Sequence, residues 1–170
     1  MENTQSVHLT TPRRLPDTLR AYRIGDPVGL YPIWSPEGAK LASARWHEAG
    51  SEVIYTSENY STAMLEQLVH WNGRPPSNQH FVEITIPKGT RYEVVTPQNF
   101  PECLNSDGEA ARRFGRQWYE ERRSALLIVP SVVARMERNI VINCRHPDFV
   151  SIKVGLEIPV WWDRRLFPAE

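Results

Sequence analysis

The feature that most constrains the fold of this chain is the irregular order of its short strand and helix patterns. About six or seven stretches have strand character, and only two longer stretches have helical periodicity. Strands and helices do not alternate along the chain, which argues against a doubly wound parallel sheet. At 170 residues, the sequence therefore predicts a single α+β domain with a mixed, mostly antiparallel sheet and a few helices.

The pattern also divides the chain. Residues 1–17 are polar and contain prolines, so we expect a flexible N-terminal arm, or a strap, before a domain that spans residues 18–168. Residues 25–44 carry prolines and glycines without a sustained period, which predicts a long functional loop that folds down as a flap. Strands are predicted at 19–24, 52–56, 80–87, 91–95, 124–129, 140–142 and 151–160, and helices at about 60–71 and 109–122.

Two of these predictions concern buried faces. The last strand has the most regular alternation, and the helix over 60–71 has an apolar stripe at three- and four-residue steps. Glu66 falls opposite that stripe, in line with Thr62 and His70, a position that by itself is typical of a solvated glutamate. The strand would bury Ile152, Val154, Leu156, Ile158 and Val160, and the helix would bury Tyr60, Met64, Leu65, Leu68 and Trp71.

Charge and cysteine content exclude several classes. The 20 Lys and Arg residues balance the 20 Asp and Glu residues, so a broad electrostatic surface for nucleic acid or anionic membrane is not expected. Cys103 and Cys144 form neither a metal motif nor a disulfide framework. No apolar run approaches membrane-spanning length and no secretory pattern opens the chain, so we expect a cytoplasmic protein.

The common catalytic motifs are also missing from the sequence. It contains no Gly-x-Gly-x-x-Gly after a strand, no phosphate-binding loop ending in Gly-Lys-Ser/Thr, no His-Glu-x-x-His and no Gly-x-Ser-x-Gly. The five histidines do not have the spacing of metal ligands. A Rossmann dehydrogenase, a P-loop enzyme and a metal enzyme are therefore not expected.

The densest group of functional side chains lies between Ala44 and Glu66. Arginine binds pyrophosphate in a bidentate manner, a tyrosine ring stacks on a flat heterocycle, and a glutamate stabilises an oxocarbenium-like transition state. A serine hydroxyl can orient a carboxamide. These groups could bind NAD and expel nicotinamide, but the residue types alone would suit other nucleotides equally. The candidates are Arg23, Arg45, Tyr55, Glu66 and Ser124.

The order of several motifs resembles the RES domain family, which is named for an Arg, a Glu and a Ser. The matching motifs are Ala-Arg-Trp-His-x-x-Gly, Val-x-Tyr, Ser-x-x-x-Ala-x-Leu-Glu, Ser-Ala-Leu-Leu-x-x-Pro-Ser and Asn-x-x-x-Asn-x-x-His-Pro. In this order the motifs lie within residues 44–50, 53–55, 57–66, 124–131 and 139–147. The whole resemblance covers about residues 19–168.

The resemblance implies an ADP-ribosyltransferase-like fold and a toxin of a bacterial toxin–antitoxin system that consumes NAD without a metal. It implies that Glu66, Arg45 and Tyr55 are catalytic. It places the family's Arg, Glu and Ser on Arg45, Glu66 and Ser124, and its Tyr-Arg on Tyr22 and Arg23. In this reading Tyr22, Arg23 and Ser124 bind NAD, with Ser124 at the nicotinamide end.

The implied partner is an antitoxin with an Xre-like helix-turn-helix domain that covers the active site, and a homodimer is compatible with the resemblance. ADP-ribose would pass to a protein, to water or to phosphate. Arginine-directed ADP-ribosyltransferases place a Glu or Gln two residues before the catalytic Glu, and here that residue is Met64. Arginine is therefore not the expected acceptor.

Two other functions stay open at this point. A metal-free ribonuclease toxin would use Arg45, His47, Glu66 and His70 as acid–base groups, although the neutral net charge counts against it. A non-enzymatic binding module would need none of these groups for chemistry. Cleavage of RNA in EDTA without NAD would indicate the ribonuclease.

Overall fold

The computed structural model describes residues 10–168, and these residues form a curved sheet with three α-helices. The strands are β1 (Arg13–Arg14), β2 (Leu19–Gly25), β3 (Val53–Ser57), β4 (His80–Ile86), β5 (Arg91–Val94), β6 (Leu126–Pro130), β7 (Arg138–Asn143), β8 (Lys153–Val154) and β9 (Ile158–Pro159). The helices are α1 (Glu37–Leu41), α2 (Tyr60–His70) and α3 (Glu109–Glu121), and short 3₁₀ turns lie at Pro101–Leu104, Pro147–Ser151 and Arg164–Leu166.

The strands of the described chain form one sheet in the order β1-β5-β6-β7-β3-β2-β4-β8, with β9 also paired to β4. Only the β5–β6 pair is parallel, and the other pairs are antiparallel. Helices and parallel strands do not alternate along the chain, as they would in a doubly wound fold. The sheet confirms the predicted α+β class with a mixed, mostly antiparallel sheet.

Strands β6 and β7 lie in the middle of the sheet and are apolar on both faces. Leu126 and Ile128 belong to one buried cluster, with side chains of β2 and β4. Leu127 and Val129 belong to a second cluster, which contains Trp118 of α3. A strand covered on both faces has no reason to alternate, which explains why its sequence is continuously apolar.

The predicted apolar stripe of α2 is buried only in part: Tyr60 packs against Phe81 of β4 at 4.8 Å between ring centroids, and Met64, Leu68 and Trp71 are half-buried. The residues of this helix that are buried are Thr62 and Ala63, whereas Leu65 is 43% exposed and Val69 is 55% exposed. The polar side that contains Thr62 and Glu66 is turned toward the sheet and toward a cleft. Periodicity located the helix correctly, but its most buried residues are not those of the stripe, because a helix beside a cleft also turns polar residues inward.

Of the two alternatives expected for residues 1–17, an arm and a strap, the described residues 10–17 form the strap. The Thr10 side chain donates a hydrogen bond to Glu93, β1 pairs with β5, and Leu15 is 7% exposed. Residues 1–9 lie outside the described part of the chain. Residues 10–17 are therefore a strap along the β5 edge of the sheet.

The strand predicted over residues 151–160 is wrong. It is reduced to β8 and β9, two short pieces that both pair with β4. Its apolar face is not buried, since Leu156 is 85% exposed and Ile158 is 49% exposed. Alternation predicts a strand with one buried face, but this segment follows the outer edge of the sheet, where no described residues cover it.

Candidate functional site

A cleft of about 460 Å³ lies beside α2. This volume is in the range of small-molecule and cofactor sites. The cleft is bounded by β2, β3, α2, the segment before Trp46 and the loop that follows β6. Its walls include Tyr22, Arg23, Arg45, Tyr55, Ser57, Glu66, Gln67, His70, Val132 and Asn139.

Glu66 is half-buried in this cleft and is held by two neutral donors. Its Oε1 accepts a hydrogen bond from Ser131 Oγ at 2.8 Å and one from Asn139 Nδ2 at 2.7 Å. Among residues 10–168, no Lys, Arg or His nitrogen lies within ion-pair distance of this carboxylate. Both bonds converge on one oxygen, so the side chain is fixed while its negative charge is left without a cationic partner.

The two donors are themselves oriented. Ser57 Oγ donates to Asn139 Oδ1 at 2.8 Å, which turns the Asn139 amide nitrogen toward Glu66. The backbone N–H of Ala134 donates to Ser131 Oγ at 3.0 Å, which leaves the hydroxyl hydrogen for Glu66. A carboxylate supported in this way keeps one orientation before any ligand binds.

Arg23 brings a positive charge to the same cleft from β2. Its Nε donates to Ile33 O at 2.6 Å and one terminal nitrogen donates to Tyr55 O at 2.8 Å. Burial lowers the pKa of this guanidinium. No described carboxylate forms an ion pair with it, so its charge is compensated only by carbonyl dipoles and by whatever anion occupies the cleft.

Arg45 lies at the other side of the cleft, and its terminal nitrogen donates to Asn105 O at 2.6 Å and Cys103 O at 3.3 Å. Its segment lies directly against α3. A Cβ added at Gly115 would stand 2.0 Å from Trp46 O, so only glycine permits this approach. Arg112, also on α3, donates to Ala44 O at 3.0 Å and adds a further positive charge near the site.

Tyr55 lines the cleft from β3 and is fixed by its hydroxyl. The hydroxyl oxygen lies 2.8 Å from His47 Nδ1 and accepts the Trp46 backbone N–H at 3.2 Å. Burial raises the pKa of Tyr55 far above its ordinary value, while burial lowers the pKa of His47. Both groups are therefore neutral at physiological pH.

Tyr22 and Arg23 both line the cleft, although strict alternation would put them on opposite faces of β2. The Tyr22 hydroxyl donates to Glu83 Oε2 at 3.4 Å, and its ring packs edge-on against Tyr60 at 5.9 Å between centroids. Five of the six residues selected from the sequence, namely Tyr22, Arg23, Arg45, Tyr55 and Glu66, are thus brought to one cleft.

Ser124 is the residue that the structure does not bring to the cleft. It is 0% exposed, its hydroxyl donates to Leu126 O at 2.9 Å, and it accepts the indole N–H of Trp118 at 2.8 Å. It lies beneath α3 at the start of β6. The expectation that Ser124 positions the nicotinamide end therefore has no geometric support.

Sequence reasoning missed Ser131 and Asn139, the two partners of Glu66. Both lie within motifs that carry the family resemblance, Ser-Ala-Leu-Leu-x-x-Pro-Ser and Asn-x-x-x-Asn-x-x-His-Pro. The first motif contains two serines, and the first of them was selected. Because β6 is continuously apolar, the sequence offered no periodicity to show which end of the strand opens into a cleft.

The ribonuclease alternative needs an accessible histidine next to Glu66 or Arg45. His47 is 2% exposed and both of its ring nitrogens have partners within the protein. It cannot exchange protons with a bound RNA. His70 lines the rim of the cleft, but a single histidine does not supply an acid–base pair.

Metal ligands and membrane-spanning helices are both absent from residues 10–168. This range contains no group of three or more His, Cys, Asp and Glu side chains arranged to hold a metal ion. None of its helices combines the length and the apolar character that crossing a membrane would require.

Within residues 10–168, the cleft combines arginines that have no carboxylate partner with a carboxylate that has no cationic partner. Such a site can bind an anionic ligand through Arg23 and Arg45 and can stabilise positive charge beside Glu66. The aromatic residue Tyr55 of β3 also lines the cleft. Separated charges of this kind are matched by a ligand that is itself anionic at one end and cationic at the other.

Comparison with known proteins gives consistent matches. The profile of the RES domain family matches residues 20–163. The chain is 39% identical over 145 residues to the "Prs ADP-ribosylating toxin" of Sphingobium sp. (strain YBL2), covering 82% of this chain and 86% of that protein. It is 33% identical over 131 residues to "Toxin Res" of Yersinia enterocolitica, covering 75% and 86%.

The fold is similar to a chain in the crystal structure of the M. tuberculosis MbcT–MbcA toxin–antitoxin complex. The TM-score is 0.66, the identity is 13%, and the match covers 85% of each chain. At this identity the likeness concerns the fold.

Proposed function

The chain belongs to the RES domain family, and from this premise we propose that it is an NAD-consuming toxin of a toxin–antitoxin system. In this proposal it cleaves the bond between nicotinamide and ribose and passes ADP-ribose to an acceptor. The observation that carries the proposal is Glu66, a half-buried carboxylate held by Ser131 and Asn139 without a cation, in a cleft that also contains Arg23 and Arg45.

The charges of NAD correspond to those of the cleft. The pyrophosphate is anionic, and Arg23 and Arg45 supply guanidinium groups whose described partners are carbonyl oxygens. The nicotinamide ring is a flat cation, and the Tyr55 ring offers it an aromatic face. Binding of the pyrophosphate would supply the anion that the buried Arg23 lacks.

Glu66 acts at the bond that breaks. Its carboxylate hydrogen-bonds a ribose hydroxyl and stabilises the positive charge that develops on the ribose in the oxocarbenium-like transition state. The C1′–N bond breaks with its electron pair going to nitrogen, so that nicotinamide leaves as a neutral molecule. The acceptor oxygen or nitrogen then forms a bond to C1′ and loses its proton to solvent.

One residue of α2 bears on the chemical nature of the ADP-ribose acceptor. Met64 occupies the position two residues before Glu66, and its thioether side chain offers no carboxylate or amide oxygen that could orient an incoming guanidinium. An arginine acceptor is therefore disfavoured. The similarity to a relative named as ADP-ribosylating supports transfer to another side chain of a protein, while water and phosphate are the competing acceptors.

The partner is an antitoxin with an Xre-like helix-turn-helix domain, whose other part covers the cleft. Val132, in the loop after β6, lines the cleft and is 38% exposed. Further apolar side chains of the same loop and of α2 are exposed, namely Leu65, Val69, Val133 and Met136 at 43%, 55%, 39% and 96%. The fold similarity to a chain of a toxin–antitoxin complex supports such a partner. The rim gives it an apolar surface next to the catalytic carboxylate.

The direct test is to incubate the purified protein with NAD and to quantify nicotinamide. Release that depends on protein concentration is expected, and absence of release in the presence of cell lysate as acceptor source would contradict the proposal. NAD labelled in the ADP-ribose part then separates the acceptors. Label on a protein band indicates transferase activity, whereas free ADP-ribose or its phosphate indicates a degrading enzyme.

A further inference from the structure

His47 occupies a buried position between the end of α1 and Tyr55, which lines the cleft. It is 2% exposed, and its Nε2 lies 3.0 Å from Ala39 O and 2.9 Å from Ala42 O. These carbonyls belong to the last turn of α1 and to the residue that ends it. The carbonyl groups at a helix C-terminus lack partners within the helix, so His47 satisfies two groups that would otherwise be unpaired.

The two carbonyls determine the tautomer of the ring. Carbonyl oxygens accept hydrogen bonds and donate none, so Nε2 must carry a hydrogen. Burial, together with the charge of Arg112, lowers the pKa of His47 and keeps the ring neutral. Nδ1 therefore has no hydrogen and acts as an acceptor.

The tautomer in turn determines what the Tyr55 hydroxyl can do. That hydroxyl lies 2.8 Å from Nδ1, so it donates its single hydrogen to His47. Its oxygen also accepts the Trp46 backbone N–H at 3.2 Å. The hydroxyl hydrogen is fully used within the protein, and Tyr55 offers the cleft its ring and not an acidic proton.

We propose that His47 is a positioning residue that holds the Tyr55 ring against the cleft by accepting its hydroxyl hydrogen, while its other nitrogen ties this tyrosine to the end of α1. The proposal rests on the proposed NAD cleavage, in which the ring faces nicotinamide. It assigns to Tyr55 an orienting and stacking function and excludes it as a general acid.

Displacement of the ring would be costly even with the tyrosine still present. Catalysis requires the substrate in a narrow range of geometries, and a misplacement of about 1 Å can lower the rate about 100-fold. If His47 lost its acceptor, the hydroxyl would turn to solvent or to the substrate, and the ring would lose its single orientation. The adjacent Arg45 would be disturbed less, since it bonds to the carbonyl oxygens of Cys103 and Asn105.

Two substitutions separate the two functions of the histidine ring. The short amide side chain in His47→Asn reaches about as far as Nδ1, so this variant retains an acceptor for Tyr55 and loses the donor to α1. The longer side chain in His47→Gln reaches about as far as Nε2, so that variant retains the donor and loses the acceptor. Lys88→Ala, at an exposed turn outside the cleft, is the matched control.

The first measurement does not depend on activity. Long-range ¹H–¹⁵N correlation spectra of ¹⁵N-histidine-labelled protein report the tautomer of each ring, and the resonance lost in His47→Asn identifies His47. A neutral ring with hydrogen on Nε2 is expected. A hydrogen on Nδ1, or a doubly protonated ring at pH 7, would overturn the proposal whether or not the protein cleaves NAD.

The second measurement is the kcat and KM for nicotinamide release, normalised to the folded fraction. We expect His47→Asn to keep kcat within a few-fold of the unmodified protein and His47→Gln to lower it at least about tenfold, with little change in the control. Equal kcat values in the Asn and Gln variants would overturn the positioning role. No release from the unmodified protein would contradict the proposed function and leave the spectroscopic result to decide on His47.

Discussion

Two glutamates of this chain lie in opposite electrostatic surroundings. Glu93, on β5, is 0% exposed and forms an ion pair with Arg123 at 2.9 Å, with Thr10 as a further donor. Glu66, on α2, is half-buried and is held by Ser131 and Asn139, which are both neutral. One carboxylate has its charge cancelled by the protein, and the other does not.

The arginines differ in the same way. Arg91 and Arg138, outside the cleft, are paired with Asp148 and Glu58. Arg23, in the cleft, donates to carbonyl oxygens of the backbone. If the charged groups of the cleft were paired within the protein, they would not be available to bind a charged ligand. The cleft leaves opposite charges apart, and a zwitterionic ligand can satisfy them.

The largest expected effect comes from breaking the paired glutamate. Arg123→Met would leave the Glu93 charge fully buried, and loss of one member of a buried ion pair costs about 3–5 kcal/mol. Urea denaturation should show this loss in the free energy of unfolding, while nicotinamide release per folded molecule stays unchanged. Arg116→Met, on the exposed face of α3, is the control, and its surface ion pair with Glu120 should contribute less than about 1 kcal/mol.

A fall in activity per folded molecule in Arg123→Met would contradict the separation of the two regions. It would mean that the β5 end of the sheet acts on the cleft.

The second largest effect is expected at Glu66, where a substitution should change activity and not stability. Glu66→Gln keeps the size of the side chain and an acceptor for Ser131 but removes the negative charge. Loss of such transition-state stabilisation lowers kcat about 10²–10³-fold, and the urea midpoint should change little because no cation loses its partner. Nicotinamide release measures the first quantity, and Glu120→Gln, an exposed glutamate on α3, is the matched control.

Retention of more than about a tenth of the activity in Glu66→Gln would exclude Glu66 as the group that stabilises the developing charge. It would also remove the functional distinction between the two glutamates, because the negative charge of Glu66 would then have no role in the reaction.

The sequence predicted the elements of the fold and much of the cleft, for physical reasons that are local. Alternation in β4, with Val82, Ile84 and Ile86 buried, and the periodicity of α3 follow from the faces that these elements bury. Arg45, Tyr55 and Glu66 were found because the motifs that contain them lie close together in the chain. These features depend on short spacings.

The features that were missed depend on tertiary position. Whether Leu65 or Thr62 of α2 is buried depends on the cleft beside the helix, and the exposure of Leu156 depends on its place at the sheet edge. Which serine meets Glu66 depends on the direction in which β6 enters the sheet, over a separation of 65 residues for Ser131. Residue spacing carries no information on these points.

The third effect compares the two serines. Ser131→Ala removes one of the two bonds that fix Glu66, and because a misoriented catalytic group lowers the rate, a fall in kcat of about tenfold is expected. Ser124→Ala leaves the buried indole N–H of Trp118 without an acceptor, which should lower the free energy of unfolding by about 1–3 kcal/mol. Its activity per folded molecule should stay unchanged.

Comparison of the two variants tests directly whether Ser131 or Ser124 acts in the cleft, because each serine is the control for the other. A fall in kcat in Ser124→Ala at full folding, together with an unaffected Ser131→Ala, would restore the original assignment of the family serine.

The smallest effect concerns a charge pair outside the cleft and its dependence on pH. Arg91, through its guanidinium, lowers the pKa of Asp148 below its ordinary value of 3.8. A carboxyl whose pKa is lowered in the folded state stabilises the protein above about pH 4, and this contribution disappears as the pH falls through the lowered pKa. The pair is partly exposed, at 37% and 19% for the two side chains, so its contribution at pH 7 should be about 1 kcal/mol or less.

Asp148→Asn should therefore unfold at a lower urea concentration than the unmodified protein at pH 7, and the two midpoints should converge as the pH is lowered toward about 3. Nicotinamide release at pH 7 should be equal in both, because this charge is cancelled within the protein and does not reach the cleft. A stability difference that persists at low pH would contradict a contribution through charge, since the asparagine of the variant keeps an acceptor for the Arg91 backbone N–H that Asp148 accepts at 2.9 Å.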